Sequence, residues 1–283
     1  MMALADYRFW LRLAALGLVC ACLVLPPIAI PRTVYTVVAV LDITGSMNVT
    51  DVQLEGVSAT RISLEKAAIH QLLGALPCGS RLGLAIFVEK QPFLLFEPVE
   101  VCGNFTPLSQ EIDNIDWRMG WDSESHIAET LLAAMAMTHD LRSDLVFLTD
   151  GQETPPLWWS KAPDFSAARG SVRGVIAGIG GTQFSPIPKF DLYGRQIGFF
   201  KPGDVPSERD GMFRGREHLS AVDEPHLRAL ALQSGLIYQH VQDPAVLANA
   251  VMRTATARRL SETTSVRWAP AWLALGLLVL AAL

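Results

Sequence analysis

Three oxygen-bearing side chains fall at alternate positions in Asp42-Ile43-Thr44-Gly45-Ser46. A carboxylate and two hydroxyls held so close suit a hard divalent cation. Mg²⁺ takes oxygen ligands in an octahedral shell and usually keeps several waters. One short loop of this kind supplies part of such a shell and leaves places for water or for an oxygen from elsewhere. A second acid, Asp150, ends the run Leu145-Val146-Phe147-Leu148-Thr149. Strand-end capping and turn chemistry also use Asp, Ser and Thr. Two apolar runs that each end in an acid, one of them followed by a hydroxyl pair, make the metal reading the more specific of the two.

These residues need elements to place them. Val37-Val38-Ala39-Val40-Leu41 is apolar without alternation and rich in β-branched residues, as in a strand buried on both faces. The carboxyl ends of such strands are where open α/β sheets hold their ligands. The pattern predicts a strand over Thr33–Asp42, then a helix capped by Thr60 that carries Ile62, Ile69, Leu72, Leu73 and Leu76 to about Pro77. Strands at Leu82–Glu89 and Phe93–Val101 follow, with a short helix at Ser109–Trp117 and a core-facing helix marked by Ile127, Leu131, Ala134 and Met135. Further strands are predicted at Leu145–Asp150 and Ser171–Gly180. A helix at Asp223–Ser234 ends at Gly235, a last strand covers Leu236–Val241, and a final helix starts at Asp243-Pro244. Alternating strands and helices imply a mainly parallel sheet covered on both faces. Phe184–His218 is a long segment of Pro, Gly and charged residues, the kind that is functional or disordered inside a compact domain.

Cys78 and Cys102 flank the two runs Leu82–Glu89 and Phe93–Val101. If these form an antiparallel hairpin turning near Lys90-Gln91, the two cysteines come level and a disulfide is geometrically possible. It is favoured here over two buried thiols, and it implies an oxidising compartment. Cys20 and Cys22 lie in an apolar run and read as inert.

The 283 residues are 50% hydrophobic with a mean hydropathy of +0.28, high for a soluble protein. The net charge of −5 offers no basic excess for nucleic acid. Leu13–Ile30 carries no charge and follows Arg8 and Arg12, so residues 13–31 are predicted to cross a membrane from a cytoplasmic tail, residues 1–12. A cleaved signal peptide is the rival, without an evident small-residue cleavage site. Residues 268–283 form a second uncharged run, shorter than a usual span, which either crosses or lies at the interface.

Asp42-Ile43-Thr44-Gly45-Ser46-Met47 resembles the metal-ion-dependent adhesion site of von Willebrand factor A domains, usually Asp-x-Ser-x-Ser. Leu145–Gly151 is similar to the family's strand ending in aspartate. Ser125-His126-Ile127-Ala128-Glu129-Thr130-Leu131 resembles its second loop, with Ser125 where threonine is usual and Ser123 the competing candidate. The resemblance covers about Thr33 to Arg258, residues 33–258 as a domain. It implies a Rossmann-like, mainly parallel sheet with one antiparallel edge strand and helices on both faces, flanked by membrane segments. It further implies that Thr44, Ser46 and Ser125 ligate Mg²⁺, or Mn²⁺ or Ca²⁺, directly. Asp42 and Asp150 then act largely through waters, and an open position receives a carboxylate from a partner protein.

Leu76–Ser80, Phe93–Cys102, Pro186–Asp191 and His218–Ser220 are similar to MxaL-type proteins, found with bacterial methanol dehydrogenase and its accessory proteins. That implies a module in the bacterial inner membrane, its main domain periplasmic, that assists maturation and calcium insertion of the dehydrogenase. An equivalent module in another assembly, working with a MoxR-type ATPase, is the alternative. A metal-assisted phosphohydrolase is a third reading. It is disfavoured because no separate nucleophile or acid–base pair is evident, so the expectation is a binding module and not an enzyme. Asp122, Glu124, Glu129 and Glu153 read as solvated acids, or as a second calcium-handling patch. Trp158-Trp159 reads as partial core packing or a partner anchor, and His126 as structural.

Overall fold

The computed structural model describes residues 2–26, 28–120, 124–154, 162–204, 216–264 and 266–282. The backbone divides into two units, residues 1–33 with 259–283, and residues 34–258. Labels below run in chain order.

The smaller unit contains helix α1 (Met2–Val24), strand β1 (Ile28–Val34), which pairs with β14 (Arg258–Thr264), and helix α7 (Trp268–Ala282). The two helices pack on each other through small residues, with Ala15, Ala274 and Ala281 buried. The Tyr7 hydroxyl donates to the Leu280 carbonyl at 3.3 Å. Helix α1 ends at Val24, so the apolar run 13–31 extends beyond the helix. Pro26, just beyond, has no N–H and its ring clashes with a preceding helical turn. The stretch Tyr7–Val24 is long and apolar enough to cross a bilayer. Helix α7 has 15 residues, short of the ~20 that a span usually needs.

The larger unit is built on six strands in the order β13-β8-β7-β2-β5-β6, with β3 (Val52–Leu54) and β4 (Val57–Ala59) forming a separate antiparallel pair. These are β2 (Thr36–Asp42), β5 (Arg81–Val88), β6 (Gln91–Glu100), β7 (Asp144–Thr149), β8 (Gly174–Ile179) and β13 (Ile237–Val241). All neighbours run parallel except β5 and β6, so β6 is the antiparallel edge that was expected. The predicted first strand is divided at Tyr35, β1 ending at Val34 and β2 beginning at Thr36. Central β2 is buried on both faces, pairing Val40 with Ala85 on one side and with Phe147 on the other.

Two apolar layers result. On one face α2 (Arg61–Ala75) and α6 (Pro244–Thr254) cover Val37, Ala39 and Leu41. On the other, α4 (Ile127–Asp140) and α5 (Glu224–Ser234) cover Val38, Val40 and Phe147. The Thr60 side chain accepts from the Ser63 amide, the predicted cap of α2. The short helix expected at Ser109–Trp117 begins earlier, as α3 (Phe105–Asn114).

Cys78 and Cys102 form the disulfide, with Cα atoms 5.2 Å apart where β5 begins and β6 ends. Glu100 ties the loop down. Its carboxylate accepts from the amides of Gly103, Gly79 and Cys102 at 2.6–3.0 Å, and these bonds hold its pKa below the usual range.

The described part of 184–218 is not structureless. Short strands β9 (Ser185–Pro186) and β12 (Leu219–Ser220) pair antiparallel, as do β10 (Pro188–Phe190) and β11 (Gln196–Phe199). Asp191 closes the turn between β10 and β11 by accepting from the Tyr193 and Arg195 amides.

Candidate metal centre

Strands β2 and β7 run in parallel with Leu41 opposite Leu148, so the residues that follow emerge side by side at one edge of the sheet. Asp42 is wholly buried there. Its Oδ1 accepts from the Thr44 amide at 2.9 Å and from Thr44 Oγ1 at 2.7 Å. Its Oδ2 accepts from Thr149 Oγ1 at 2.6 Å. Thr44 Oγ1 lies 3.3 Å from Ser46 Oγ. The first-loop trio is therefore one contiguous group of oxygens.

Ser125 sits just ahead of α4. Its backbone bridges Glu89 on one side and Thr154 on the other, its amide donating to the Thr154 carbonyl at 2.8 Å. That places it between the end of β5 and the loop after Asp150. Its Oγ is buried and, among the described residues, has no hydrogen-bond partner. A buried hydroxyl left unanswered costs free energy, and ligation of a cation would offset that cost. Ser123, the competing candidate, lies outside the described residues, as do Asp122 and Trp158-Trp159.

Asp150 is also wholly buried, but its partners differ. Its Oδ2 accepts from Arg61 Nη1 at 2.7 Å and from Ser220 Oγ at 2.9 Å, and its Oδ1 from the Gln152 amide at 3.0 Å. Arg61 is fully enclosed and also pairs with Asp51, through Nε at 2.9 Å and Nη2 at 2.6 Å. Burial by itself would weaken the Arg61 cation, yet Asp51 and Asp150 more than offset it and raise its pKa. Asp51 in turn accepts from the Gly181 amide at 2.9 Å.

Behind Asp42 lies another acid, Glu65, one helical turn after Arg61 on α2 and wholly buried. Burial, then the charges of Asp42 and Asp150, push its carboxyl well above the usual range. Asp42 itself is pushed up to about 7, by burial first and by Asp150 second, with hydrogen bonds from Thr149 and Thr44 opposing. The acids here exceed the one guanidinium that answers them. A divalent cation among the oxygens would stabilise the ionised form of Asp42. The donor set of carboxylates and hydroxyls fits Mg²⁺ or Mn²⁺.

Arg61, Glu65, Asp51, Thr149 and Ser220 were not singled out in the sequence. One signal was present. Arg61 opens a helix directly after its Thr60 cap, where the macrodipole disfavours a cation, so a specific anion should hold it.

Among the described residues, Glu124, Glu129 and Glu153 each have separate partners. Glu153 accepts from the Ile127 and Ala128 amides at 3.0 and 2.8 Å and so caps α4. Glu129 pairs with Lys90 at 3.8 Å, and Glu124 with His126 at 2.9 Å. Among the described residues no cluster of three His, Cys, Asp or Glu side chains could hold a metal.

The family model for the von Willebrand factor type A domain matches residues 37–152, which carry Asp42, Thr44, Ser46, Ser125 and Asp150. Among solved structures, an aerotolerance-related membrane protein from Bacteroides fragilis aligns with a TM-score of 0.54 at 17% identity, over 77% of this chain and 97% of that one. A von Willebrand factor type A protein from Catenulispora acidiphila aligns at 0.45 and 13%, over 77% and 41%. The manganese-loaded TRAP protein of Plasmodium vivax aligns at 0.42 and 10%, over 83% and 81%. The first of these likenesses, at 17% identity, speaks to fold alone. No curated protein matches the chain.

Proposed function

We propose, from the premise that this fold is that of a von Willebrand factor A domain, that the chain is a metal-dependent protein-binding module and not an enzyme. The observation that carries the proposal is the contiguous group Asp42, Thr44 and Ser46 at the carboxyl end of β2, beside Asp150. Thr44, Ser46 and Ser125 would hold Mg²⁺ or Mn²⁺ through their hydroxyls, with Asp42 and Asp150 behind them. The ion, when bound, supplies a positive charge that a partner's Asp or Glu can neutralise. The protein's own work is to fix the direction of that contact. Asp42 orients the Thr44 hydroxyl, and Arg61 takes up one oxygen of Asp150, so fewer anions are free to quench the ion.

Membrane anchorage through α1 and an extracytoplasmic place for the larger unit belong to the same proposal. The apolar stretch Tyr7–Val24 supports the first, and the Cys78–Cys102 bond supports an oxidising compartment. The narrower role, maturation of periplasmic methanol dehydrogenase by calcium insertion, rests on the loops that resemble MxaL-type proteins.

Calorimetric titration of the detergent-purified full chain with Mg²⁺, Mn²⁺ and Ca²⁺ tests the metal. Saturable heats are expected from wild type and none from Asp42→Ala, and equal heats from both would remove the site. Capture of partners from the native membrane, with and without chelator, tests the rest. Methanol dehydrogenase or its accessory proteins should be retained only with metal present, and retention that ignores chelator counts against the module reading.

A further inference from the structure

At the opposite edge of the sheet, where β7 and β8 begin, lies a cleft of about 340 Å³. Its lining includes Arg142, Arg173 and Arg258, with His139 and Ser171 at its rim and Asp144 at its buried floor. In a chain of net charge −5, three guanidiniums around one cleft run against the overall balance. The single acid is already engaged, since Asp144 accepts from the amide and from the hydroxyl of Thr256. Among the described residues neither Arg142 nor Arg173 forms an ion pair.

The backbone around the cleft is committed to this arrangement. Arg142 follows the end of α4 with a φ of +50°, a left-handed conformation that glycine adopts freely and arginine does not. Its carbonyl accepts from Arg258 Nη2, which fixes the third arginine over the cleft. Next to Arg173, Gly174 has a φ of +152°, and a Cβ there would meet the Leu145 carbonyl oxygen at 1.8 Å. A helix C-terminus welcomes one cation through its dipole. It does not account for three converging from the end of α4, the start of β8 and the start of β14.

We infer that this cleft is an anion site that takes a phosphate group, and that the phosphate is presented by an anionic phospholipid. Guanidiniums match phosphate oxygens with paired N–H donors, and Ser171 offers a further hydroxyl. Arg258 is the last residue of the larger unit. Arg259 follows it, and the chain then continues to the apolar helix α7, with Trp268 and Trp272 exposed near its start. Basic groups close in sequence to membrane segments recognise lipid headgroups. The lipid source, unlike the phosphate chemistry, rests on the anchorage proposed above.

The test uses the full chain in a neutral sugar-headed detergent, titrated calorimetrically with inorganic phosphate and, separately, with micelles doped with phosphatidylglycerol or phosphatidylcholine. Saturable binding is expected for phosphatidylglycerol and, more weakly, for inorganic phosphate, with phosphatidylcholine inert. Arg142→Gly relaxes the backbone while deleting a charge, and Arg173→Gln changes an exposed side chain, so neither threatens the fold. Together they should weaken binding by about tenfold or more. Arg253→Gln, an exposed arginine outside the cleft, and wild type in the presence of a chelator should both bind as untreated wild type does. The second of these keeps the outcome independent of the metal reading. Saturation with inorganic phosphate but not with phosphatidylglycerol overturns the lipid source and retains the phosphate site. Absence of binding to either, or unchanged binding in the double variant, overturns the site itself.

Discussion

The two ends of the central sheet carry opposite charge and handle it in opposite ways. At the carboxyl end, Asp42, Asp150 and Glu65 are wholly buried, and the one enclosed guanidinium, Arg61, pairs with Asp150 and Asp51. At the amino end, Arg142, Arg173 and Arg258 stand exposed around an open cleft with one buried acid between them. Desolvating a charge is expensive, so the buried end must pair, neutralise or ligate every one of its groups. Cations that keep their water cost little when left without a partner. Charge at the carboxyl end therefore bears on stability, and charge at the amino end on affinity for whatever arrives from solution.

Deleting the one buried cation gives the largest expected effect. Arg61→Met leaves Asp150 and Asp51 without their partner in the interior and should cost about 3–5 kcal/mol in urea unfolding. Arg173→Gln at the other end should stay within about 0.5 kcal/mol of wild type. Equal losses from the two variants would erase the distinction drawn between the ends.

The amino end is held instead by a covalent bond, because the disulfide sits where β5 begins and β6 ends. It joins residues 24 apart in sequence, a loop for which the chain-entropy relation gives about 3.5 kcal/mol. Cys78→Ser with Cys102→Ser should lower stability by that order. The same loss should follow from adding reductant to wild type and should be absent when reductant is added to the variant.

The asymmetry between the ends was only half legible in the sequence. Asp42 and Asp150 announced themselves because each ends an unbroken apolar run, and a run of that kind fixes both the strand and its buried end. Thr149 could have been read the same way, as the last residue of its run. Glu65 could not, and for Arg61 the one signal was a cation in the first turn of a helix. A charged residue on a helix normally faces water, and which face of α2 meets the sheet's edge is settled by how the helix docks. The arginine cleft draws on three segments distant in sequence, so no local pattern reveals it. Hydropathy located the first apolar stretch but not the bounds of α1, since helix propensity carries it back to Met2 while Pro26 stops it. The short strand pairs between Ser185 and Ser220 escaped because strands of two to four residues are too short to show alternation.

Proton binding sharpens the picture at the carboxyl end. Asp42 titrates near 7 in the folded protein against 3.8 in an unfolded chain. Between those values the native state keeps a proton that the unfolded state has released. Without metal, stability should therefore fall as pH rises through that window and level off above about 7. Metal affinity should run the other way. Mg²⁺ requires the carboxylate, so its affinity should drop by about tenfold for each pH unit below the Asp42 pKa. Calorimetry across the window reads both signs, and a metal affinity indifferent to pH would place Asp42 outside the ion's surroundings.

The smallest effect expected is also the one most particular to the amino end. Arg142 at φ +50° carries backbone strain of order 1 kcal/mol, whereas glycine there would be unstrained but would lose more freedom on folding. The two nearly offset, so Arg142→Gly should raise stability by about 0.5 kcal/mol while removing a cation from the cleft. A gain in melting temperature together with a loss of phosphate binding would mean that the arginine stands there at a cost to the fold and for the benefit of a ligand. A loss of both would mean that Arg142 mainly supports the end of α4, and the charge at this edge would then be as structural as the charge at the other.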